Sequence, residues 1–309
     1  MQVLIIGGSG FLSGTLARVA LEAGQTVWAV TRGQKPLPPG VNAIQVSRQD
    51  RAAFASAIQQ TEQQWDLVVD CIGFEAGDAR QDIEVFRDRA RHLVFVSTDF
   101  VFDPARRRFP QDEQNAHYVT EGYGAGKRRC ELEFIAGDTK GNTGEMAWTV
   151  VRPCHIYGPG SQLGCLPLHG RDPQLLATLQ ARQPLRLVGG GHFLQQPILA
   201  ADLSQVILSC ASNRQAHGQI YVTAGPDIIE SRDYYHIVAD VLDVELQVEE
   251  IPVDTYRAAH PEHSSFLCHR IYDLQKQREH GLAVSSTPIE VGLREHVMHL
   301  MQKADEQSP

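Results

Sequence analysis

Residues 3–14 read VLIIGGSGFLSG. The unbroken apolar run Val3–Ile6 is typical of a parallel strand that is buried on both faces. After the glycines, apolar residues at helical spacing mark one face of a helix: Leu12, Leu16, Val19 and Ala20. A strand, a glycine-rich turn and a helix in this order predict the first unit of an open α/β sheet.

The glycine-rich turn itself predicts a dinucleotide-binding site. Glycine lets the backbone approach a pyrophosphate closely, and the following helix presents free N–H groups and the positive end of its dipole. The expected cofactor contacts in this turn are Gly7, Ser9, Gly10, Phe11 and Leu12. The third glycine of the usual pattern comes one place late, so the small residue Ser13 stands in its position. The alternative is a plain glycine-rich turn.

The alternation of apolar runs and helical patterns continues to residue 152 and predicts the fold class. It implies a doubly wound parallel sheet, a Rossmann domain, over residues 1–152. Residues 153–173 then hold four prolines and four glycines. This loop-rich stretch predicts the start of a smaller, mainly substrate-binding domain over residues 153–309, with some segments returning to the sheet.

Composition argues against several classes of protein. The 309 residues carry 28 Lys+Arg against 37 Asp+Glu, a net charge of −9, which makes a nucleic-acid partner unexpected. The short basic run 106–108 is interpreted as solvated surface. No apolar run approaches the ~18 residues of a membrane span, and the N-terminus is interpreted as a strand and not as a signal peptide. Six scattered cysteines without a CxxC pair indicate reduced thiols and a cytoplasmic location.

The end of the second predicted strand bears on the choice of cofactor. NAD sites usually place a carboxylate there to bond the ribose hydroxyls. This chain instead has Thr31 and Arg32, with Lys35 nearby. A guanidinium can grip the additional phosphate of NADP, so NADP(H) is favoured over NAD(H). The alternative is that Arg32 is an ordinary solvated loop residue.

A tyrosine and a lysine four residues apart form the predicted catalytic pair. Tyr123 and Lys127 share one face of a predicted helix. An ammonium beside a phenol favours the phenolate, and lowering a tyrosine pKa by about three units needs roughly 4 kcal/mol. Such a tyrosine can exchange a proton with a substrate oxygen while hydride moves. Gly124 and Gly126 weaken the helix by ~1 kcal/mol each, and we interpret them as room for cofactor or substrate. The alternative is a surface pair.

The segment VSTDFVFD, residues 96–103, completes this constellation. It lies at the carboxyl end of a predicted strand, where doubly wound sheets bind ligands. Thr98 precedes Tyr123 by 25 residues, and its hydroxyl can hydrogen-bond the same reacting oxygen.

Four segments together carry a family resemblance: GGSGFLSG (7–14), VSTDFVFD (96–103), YGAGK (123–127) and VRPCHIYGPG (151–160). In this order they resemble the extended short-chain dehydrogenase/reductases, the NAD-dependent epimerase/dehydratase family. The resemblance spans essentially the whole chain and implies Tyr123 as acid/base, with Thr98 orienting the substrate oxygen. It also implies that Lys127 holds the nicotinamide ribose and tunes the tyrosine, and that Pro153 and Cys154 line the nicotinamide pocket.

Departures from the family pattern bear on the reaction and the substrate. Phe100 stands where the dehydratases carry a glutamate, so dehydration is not expected. Gln195 stands where UDP-sugar epimerases carry an arginine that grips the diphosphate, which argues against a nucleotide sugar. Asp99, His155 and Gln195 are the expected substrate contacts. Epimerase and reductase reactions on a sugar-like substrate both stay open.

Two classes of function therefore compete. The first is an NAD(P)-dependent enzyme, and the retained Thr98, Tyr123 and Lys127 favour it. The second is a non-catalytic, cofactor-sensing or RNA-binding regulator, because residues 31–33 and 65–70 also resemble a subgroup akin to chloroplast stem-loop-binding proteins. No metal is expected, since the histidines lack ligand spacing. The resemblance implies a homodimer formed through the helices that carry the tyrosine.

Overall fold

The computed structural model describes residues 1–114, 116–139, 141, 145–211 and 213–307. Within these ranges the strands are β1 (Gln2–Ile6), β2 (Thr26–Thr31), β3 (Asn42–Gln45), β4 (Leu67–Asp70), β5 (His92–Val96), β6 (Ala147–Pro153), β7 (Ile156–Tyr157), β8 (Leu185–Val188), β9 (Leu194–Gln195), β10 (Ile198–Leu199), β11 (Gln219–Thr223), β12 (Ile229–Glu230) and β13 (Val248–Ile251). The helices are α1 (Phe11–Glu22), α2 (Arg51–Gln60), α3 (Ala76–Phe86), α4 (Gly122–Thr139), α5 (Leu175–Gln180), α6 (Ala200–Cys210), α7 (Ser231–Val241), α8 (Val253–Ala259), α9 (Gln275–Glu279) and α10 (Ile289–Gln307).

A seven-stranded parallel sheet forms the centre of the described chain, in the order β11-β6-β5-β4-β1-β2-β3. The strand order reverses beside β1, which pairs with β2 on one side and with β4 on the other. Open α/β sheets bind ligands at the carboxyl ends of the strands next to such a reversal. The predicted Rossmann fold is confirmed.

Burial on both faces explains the apolar sequence of β1. Val3 and Ile5 pack with α1 and α6 in one hydrophobic cluster. Leu4 and Ile6 pack on the opposite face, in a cluster that also contains side chains of α2, α3 and α4. All four side chains are 0% exposed, and each such burial contributes about 1.5–3 kcal/mol to folding.

Strand register places the predicted motifs beside one another. Ile6 pairs with Asp70, Asp70 pairs with Phe95, and Phe95 pairs with Val150. The residues that follow these four positions therefore emerge at one edge of the sheet. That edge carries the glycine-rich turn, the segment containing Thr98 and the loop after β6.

The later part of the chain builds a smaller lobe over this edge. Its strands pair two by two, β7 with β10, β8 with β13 and β9 with β12. Its core joins the helices α5, α7 and α10 to these strands through buried side chains such as Leu175, Tyr234 and Leu293. Strand β11 belongs to the central sheet instead, where it lies beside β6. Among the described residues, every helix is too short or too polar to cross a bilayer.

Candidate active site

A cleft of about 510 Å³ opens at the carboxyl edge of the sheet. One wall is formed by the glycine-rich turn and the loops after β4, β5 and β6. The other wall comes from the smaller lobe, which contributes Leu166, Arg171, Phe266 and Arg270. Thr98, Tyr123 and Lys127 all line this cleft, so the structure brings the three predicted catalytic residues together.

The glycine-rich turn is closed by Ser13. Its hydroxyl donates to the carbonyl of Gly7 at 2.5 Å and accepts the N–H of Gly10 at 3.0 Å. Serine in place of the third glycine thus adds two hydrogen bonds that hold the turn against the helix. Gly7 has φ +99°, and an added Cβ there would lie 2.5 Å from Ile72, so both conformation and space require glycine.

This turn fits a dinucleotide. Gly10 is the N-cap of α1 and brings no side chain between the backbone and the cleft. The next two residues, Phe11 and Leu12, also line the cleft. Their N–H groups are the first of the helix, which have no intrahelical acceptor and can bind an anion.

The end of β2 lies beside this turn. Thr31 is buried, and its hydroxyl accepts the N–H of Gly33 at 3.1 Å. Arg32 is exposed, and among the described residues no carboxylate forms an ion pair with it. The structure therefore leaves the Arg32 guanidinium free at the edge of the sheet.

The loop after β4 is held by a buried ion cluster that sequence reasoning missed. Arg48 is 4% exposed and pairs with Asp70 at 2.7 Å and Asp82 at 3.0 Å. Asp70 also accepts the N–H groups of Ile72 and Gly73. This carboxylate thereby shapes the loop in which Cys71 and Ile72 face the cleft.

The catalytic pair is arranged differently from the prediction. Thr98 and Tyr123 line the same cleft, and the Thr98 hydroxyl accepts the N–H of Phe100 at 3.3 Å. Lys127 is 2% exposed, and its ammonium donates to the carbonyl of Val96 at 2.7 Å. The same ammonium lies 4.9 Å from the ring centre of Phe74 and 4.8 Å from that of Phe95.

The expected lowering of the tyrosine pKa is wrong for the protein alone. Burial raises the pKa of Tyr123, and the negative charge of Asp99 adds to this rise. The positive charge of Arg171 and the polar Thr98 side chain oppose this rise in the pKa without cancelling it. Lys127, whose ammonium donates to the Val96 carbonyl, is not among the groups that shift this pKa.

Gly124 and Gly126 of YGAGK lie against the backbone of neighbouring loops and leave no space for a ligand there. An added Cβ at Gly124 would overlap the carbonyl of Phe100. At Gly126 it would lie 2.7 Å from the carbonyl oxygen of Phe74. The interpretation of these glycines as space for cofactor or substrate is therefore corrected. They let α4 approach the loops after β4 and β5, which places Tyr123 beside Thr98.

Asp99 is the centre of a second buried ion cluster. Its carboxylate accepts hydrogen bonds from the Tyr272 hydroxyl at 2.6 Å and from Arg107 at 3.0 Å, and it pairs with Arg270. Burial opposes ionisation, but Arg270 and Arg107 lower the pKa of Asp99 below its usual value. All three of these contacts are made by Oδ2, and Asp99 lines the cleft, so its direct contact with substrate stays a prediction. The interpretation of Arg107 as solvated surface is corrected, because the residue is only 9% exposed and its guanidinium binds Asp99.

The last residue of β6 and the two residues after it lie in the cleft wall. Pro153, Cys154 and His155 all line it. The Cys154 thiol donates to the carbonyl of Gln196 at 2.7 Å, and burial raises its pKa, so it is an unreactive thiol. Burial lowers the pKa of His155 to about 4, so this imidazole is neutral at pH 7.

Gln195 does not lie in the cleft wall. It is 1% exposed in β9, where it pairs with Ile229, and neither polar atom of its amide has a protein partner. Its prediction as a substrate contact is not supported by this position. Two arginines that the sequence did not single out line the cleft instead, Arg171 and Arg270. Arg171 lies in the loop-rich stretch 153–173, and this position is the signal in the sequence that could have pointed to it.

Fold and cleft together define a Rossmann-fold protein whose cleft at the carboxyl edge of the sheet contains Tyr123. The model of the NAD dependent epimerase/dehydratase family matches residues 3–224, and the chain belongs to this family.

A curated relative is the chloroplast stem-loop binding protein of 41 kDa b from Arabidopsis thaliana. It is 24% identical over 245 residues, covering 72% of this chain. The match spans only 58% of that relative's length.

Solved structures of similar fold include the UDP-glucose 4-epimerase of Thermotoga maritima with UDP-glucose. Its TM-score is 0.78 at 15% identity, covering 98% of this chain and 100% of that one. The dTDP-glucose 4,6-dehydratase of Bacillus anthracis in complex with NAD has a TM-score of 0.77 at 16% identity, covering 99% and 98%. At these identities the likeness shows the shared fold.

Proposed function

We propose that the protein is an NAD(P)-dependent enzyme that transfers hydride at a hydroxyl or keto carbon of a sugar-like substrate. The observation that carries this proposal is the cleft that brings Thr98, Tyr123 and Lys127 together beside the glycine-rich turn. Family membership supports the cofactor, which when bound supplies the hydride acceptor or donor. The 4-epimerases and dehydratase of similar fold support a sugar-like substrate.

Tyr123 is the proposed acid/base. With its pKa raised, its hydroxyl is protonated at neutral pH and ready to donate to a keto oxygen. Thr98 lines the same cleft, and its hydroxyl can donate a second hydrogen bond to the same substrate oxygen. Lys127 uses one of its three donors on the Val96 carbonyl, which leaves two for the ribose hydroxyls of the cofactor.

For the cofactor we propose a preference for NADP(H). The supporting observation is the exposed Arg32, directly after β2. Positions 31–35 hold no acidic residue, whereas NAD sites usually have a carboxylate there. The dehydratase of similar fold was solved with NAD, so the two cofactors need a direct comparison.

The test is a titration of the purified protein with NADPH and NADH side by side, followed by thermal unfolding and fluorescence. A cofactor at 100 times its dissociation constant should stabilise the fold by about 2.7 kcal/mol. We expect the larger shift with NADPH, and a larger shift with NADH would overturn the preference. Cofactor that stays bound through purification would favour an epimerase, whereas exchange with solvent would favour a reductase. Hydride transfer is then followed by NAD(P)H absorbance with polyols and ketoses.

A regulatory or RNA-binding protein is the second candidate. It is favoured by the Arabidopsis relative, whose name records stem-loop binding. The net charge of −9 and the complete Thr98, Tyr123 and Lys127 set argue against it. Failure to bind either cofactor, together with binding of a stem-loop RNA, would favour this candidate.

Location and assembly are also proposals. The six unpaired cysteines support a cytoplasmic location. A homodimer through α4 is supported by Leu132, which is 47% exposed on that helix. Light scattering of the purified protein measures the assembly directly.

A further inference from the structure

Arg171 differs from the other cations that line the cleft. Arg270 is paired with Asp99, and the Lys127 ammonium is bonded to the Val96 carbonyl. Arg171 has no ion-pair partner among the described residues. Its only side-chain hydrogen bond there is a long one of 3.5 Å to the carbonyl of Ile156. A guanidinium has five donors, so most of those on Arg171 are unused.

The loop around Arg171 is held by hydrogen bonds of neighbouring residues, and Arg171 itself has an unfavourable backbone conformation. Arg171 has φ 70°, in the left-handed region that costs a non-glycine residue free energy. The neighbouring Asp172 donates its N–H to the Leu163 carbonyl at 2.7 Å. His169 ties the loop further, through Asp172 at 2.8 Å and the carbonyl of Arg186 at 2.9 Å. Strain of this kind persists where the surrounding structure imposes it, and it clusters at ligand sites.

Arg171 lines the same cleft as Tyr123 and the residues of the cofactor turn. Its guanidinium lies 5.6 Å from the ring centre of Phe11, the first residue of α1. Burial lowers the pKa of Arg171, while Tyr123 and Tyr234 act in the opposite direction. Arg171 is nevertheless an exposed residue, and no described carboxylate forms an ion pair with it. An unpaired guanidinium at the surface of a cleft can bind an anion through two parallel hydrogen bonds.

We propose that Arg171 binds an oxyanion of the substrate, a carboxylate or a phosphate attached near the reacting carbon. This inference rests on the proposed function, which places the reacting oxygen at Tyr123 and Thr98. For the pyrophosphate of the cofactor, the free N–H groups at the N-terminus of α1 are the expected binding site. The substrate class is therefore a small anionic hydroxy or keto compound, such as a sugar acid or a sugar phosphate.

The positions of Gln195 and Arg270 support the assignment of the substrate anion to Arg171. Gln195 is neutral and lies outside the cleft wall, and the charge of Arg270 is held by Asp99. Arg171 is thus the cation of the cleft that is available to grip an anion. Because Arg171 lines the same cleft as Tyr123, an anion bound by Arg171 would lie close to the reacting carbon.

The test measures binding of inorganic phosphate, D-gluconate and neutral D-glucitol to the protein saturated with its cofactor. Calorimetry compares the natural protein with Arg171→Gln and Arg171→Asn, the second because asparagine tolerates the left-handed conformation. Arg182→Gln is the matched control, since Arg182 is exposed with φ 54° and lies outside the cleft.

We expect an anionic probe, but not D-glucitol, to bind the natural protein and the Arg182 variant. Both Arg171 variants should weaken that binding at least tenfold, and Arg171→Lys should lie between. Unchanged affinity in the Arg171 variants, or no anion binding by the natural protein, would overturn the proposal.

Two further measurements distinguish loss of the substrate-anion site from loss of cofactor binding and from unfolding. If Arg171→Gln weakens NADPH or NADH binding tenfold and leaves anion binding intact, the oxyanion belongs to the cofactor and the substrate assignment is wrong. The same anion titration without cofactor distinguishes a failure of the proposed function, in which neither cofactor binds, from a failure of the Arg171 site. Unfolding midpoints of all variants report whether they fold.

Discussion

Asp99 and Arg270 lie 171 positions apart in the chain, and their side chains form a buried ion pair in the wall of the cleft. Asp99 follows β5 of the central sheet, whereas Arg270 belongs to the smaller lobe. Tyr272 and Arg107 bind the same carboxylate. One aspartate thus connects the two walls between which a substrate would lie.

Replacing this aspartate should destabilise the protein strongly. Asp99→Asn leaves two buried guanidinium groups without their counter-charge, and breaking a buried pair in this way costs about 3–5 kcal/mol. Urea denaturation measures the free energy of unfolding. Asp103→Asn is the control, because its partner Arg106 is 59% exposed and such pairs contribute about 0–1 kcal/mol. Equal losses in both variants would contradict the structural role of Asp99.

The same carboxylate predicts a loss of stability in acid. Its pKa in the folded protein is lower than the usual value near 3.9, because Arg270 and Arg107 outweigh the effect of burial. Its contribution to stability is therefore complete above about pH 4 and disappears as the pH falls through the lowered pKa. Unfolding free energies of the natural protein and of Asp99→Asn should converge below pH 4. A constant difference between them would show that Asp99 does not carry this dependence.

Loss of the tyrosine hydroxyl should affect turnover and spare the cofactor. Tyr123→Phe removes the group that exchanges a proton with substrate, and we expect turnover to fall about 10²-fold or more. The dissociation constant of the cofactor, measured by fluorescence, should change little. Tyr256→Phe is a suitable control, because the Tyr256 hydroxyl bonds His263 away from the cleft. Full activity of Tyr123→Phe on a true substrate would refute the acid/base assignment.

Gly124 should not tolerate a side chain. In Gly124→Ala the new Cβ overlaps the Phe100 carbonyl, so α4 must move away and carry Tyr123 with it. We expect lower stability, by about 1–3 kcal/mol, and weaker catalysis. Gly14→Ala is the control, since an added Cβ there has its nearest contact at 3.8 Å and alanine favours a helix. A Gly124→Ala protein as stable as the control would contradict this close approach.

Arg32 should determine the choice between the two cofactors. Arg32→Asp removes the phosphate-binding group and supplies a carboxylate for the ribose hydroxyls, so affinity should move from NADPH toward NADH. The ratio of the two dissociation constants is the measurement. Lys35→Asp tests whether any nearby charge change has the same effect. Unchanged NADPH affinity in Arg32→Asp would remove the argument for NADP(H).

Residues that act through local sequence were found without the structure. The apolar run Val3–Ile6 and the glycine-rich turn predict the sheet and the cofactor turn, because a buried strand and a tight turn depend on neighbouring residues. Tyr123, Lys127 and Thr98 were found because helical spacing and the end of a strand are also local signals. All three lie in one cleft.

The tertiary structure alone decided which charges are free. Arg107 and Arg108 are adjacent in sequence, yet the first is buried against Asp99 and the second is half exposed. The same holds for the raised pKa of Tyr123, which depends on burial and on Asp99 and not on Lys127 four residues away. The sequence by itself determined the Rossmann fold and the residue types of the site, since those follow from local patterns. Which arginine faces an anion depends on side chains brought together from distant parts of the chain, because electrostatic interactions act through space and not along the sequence.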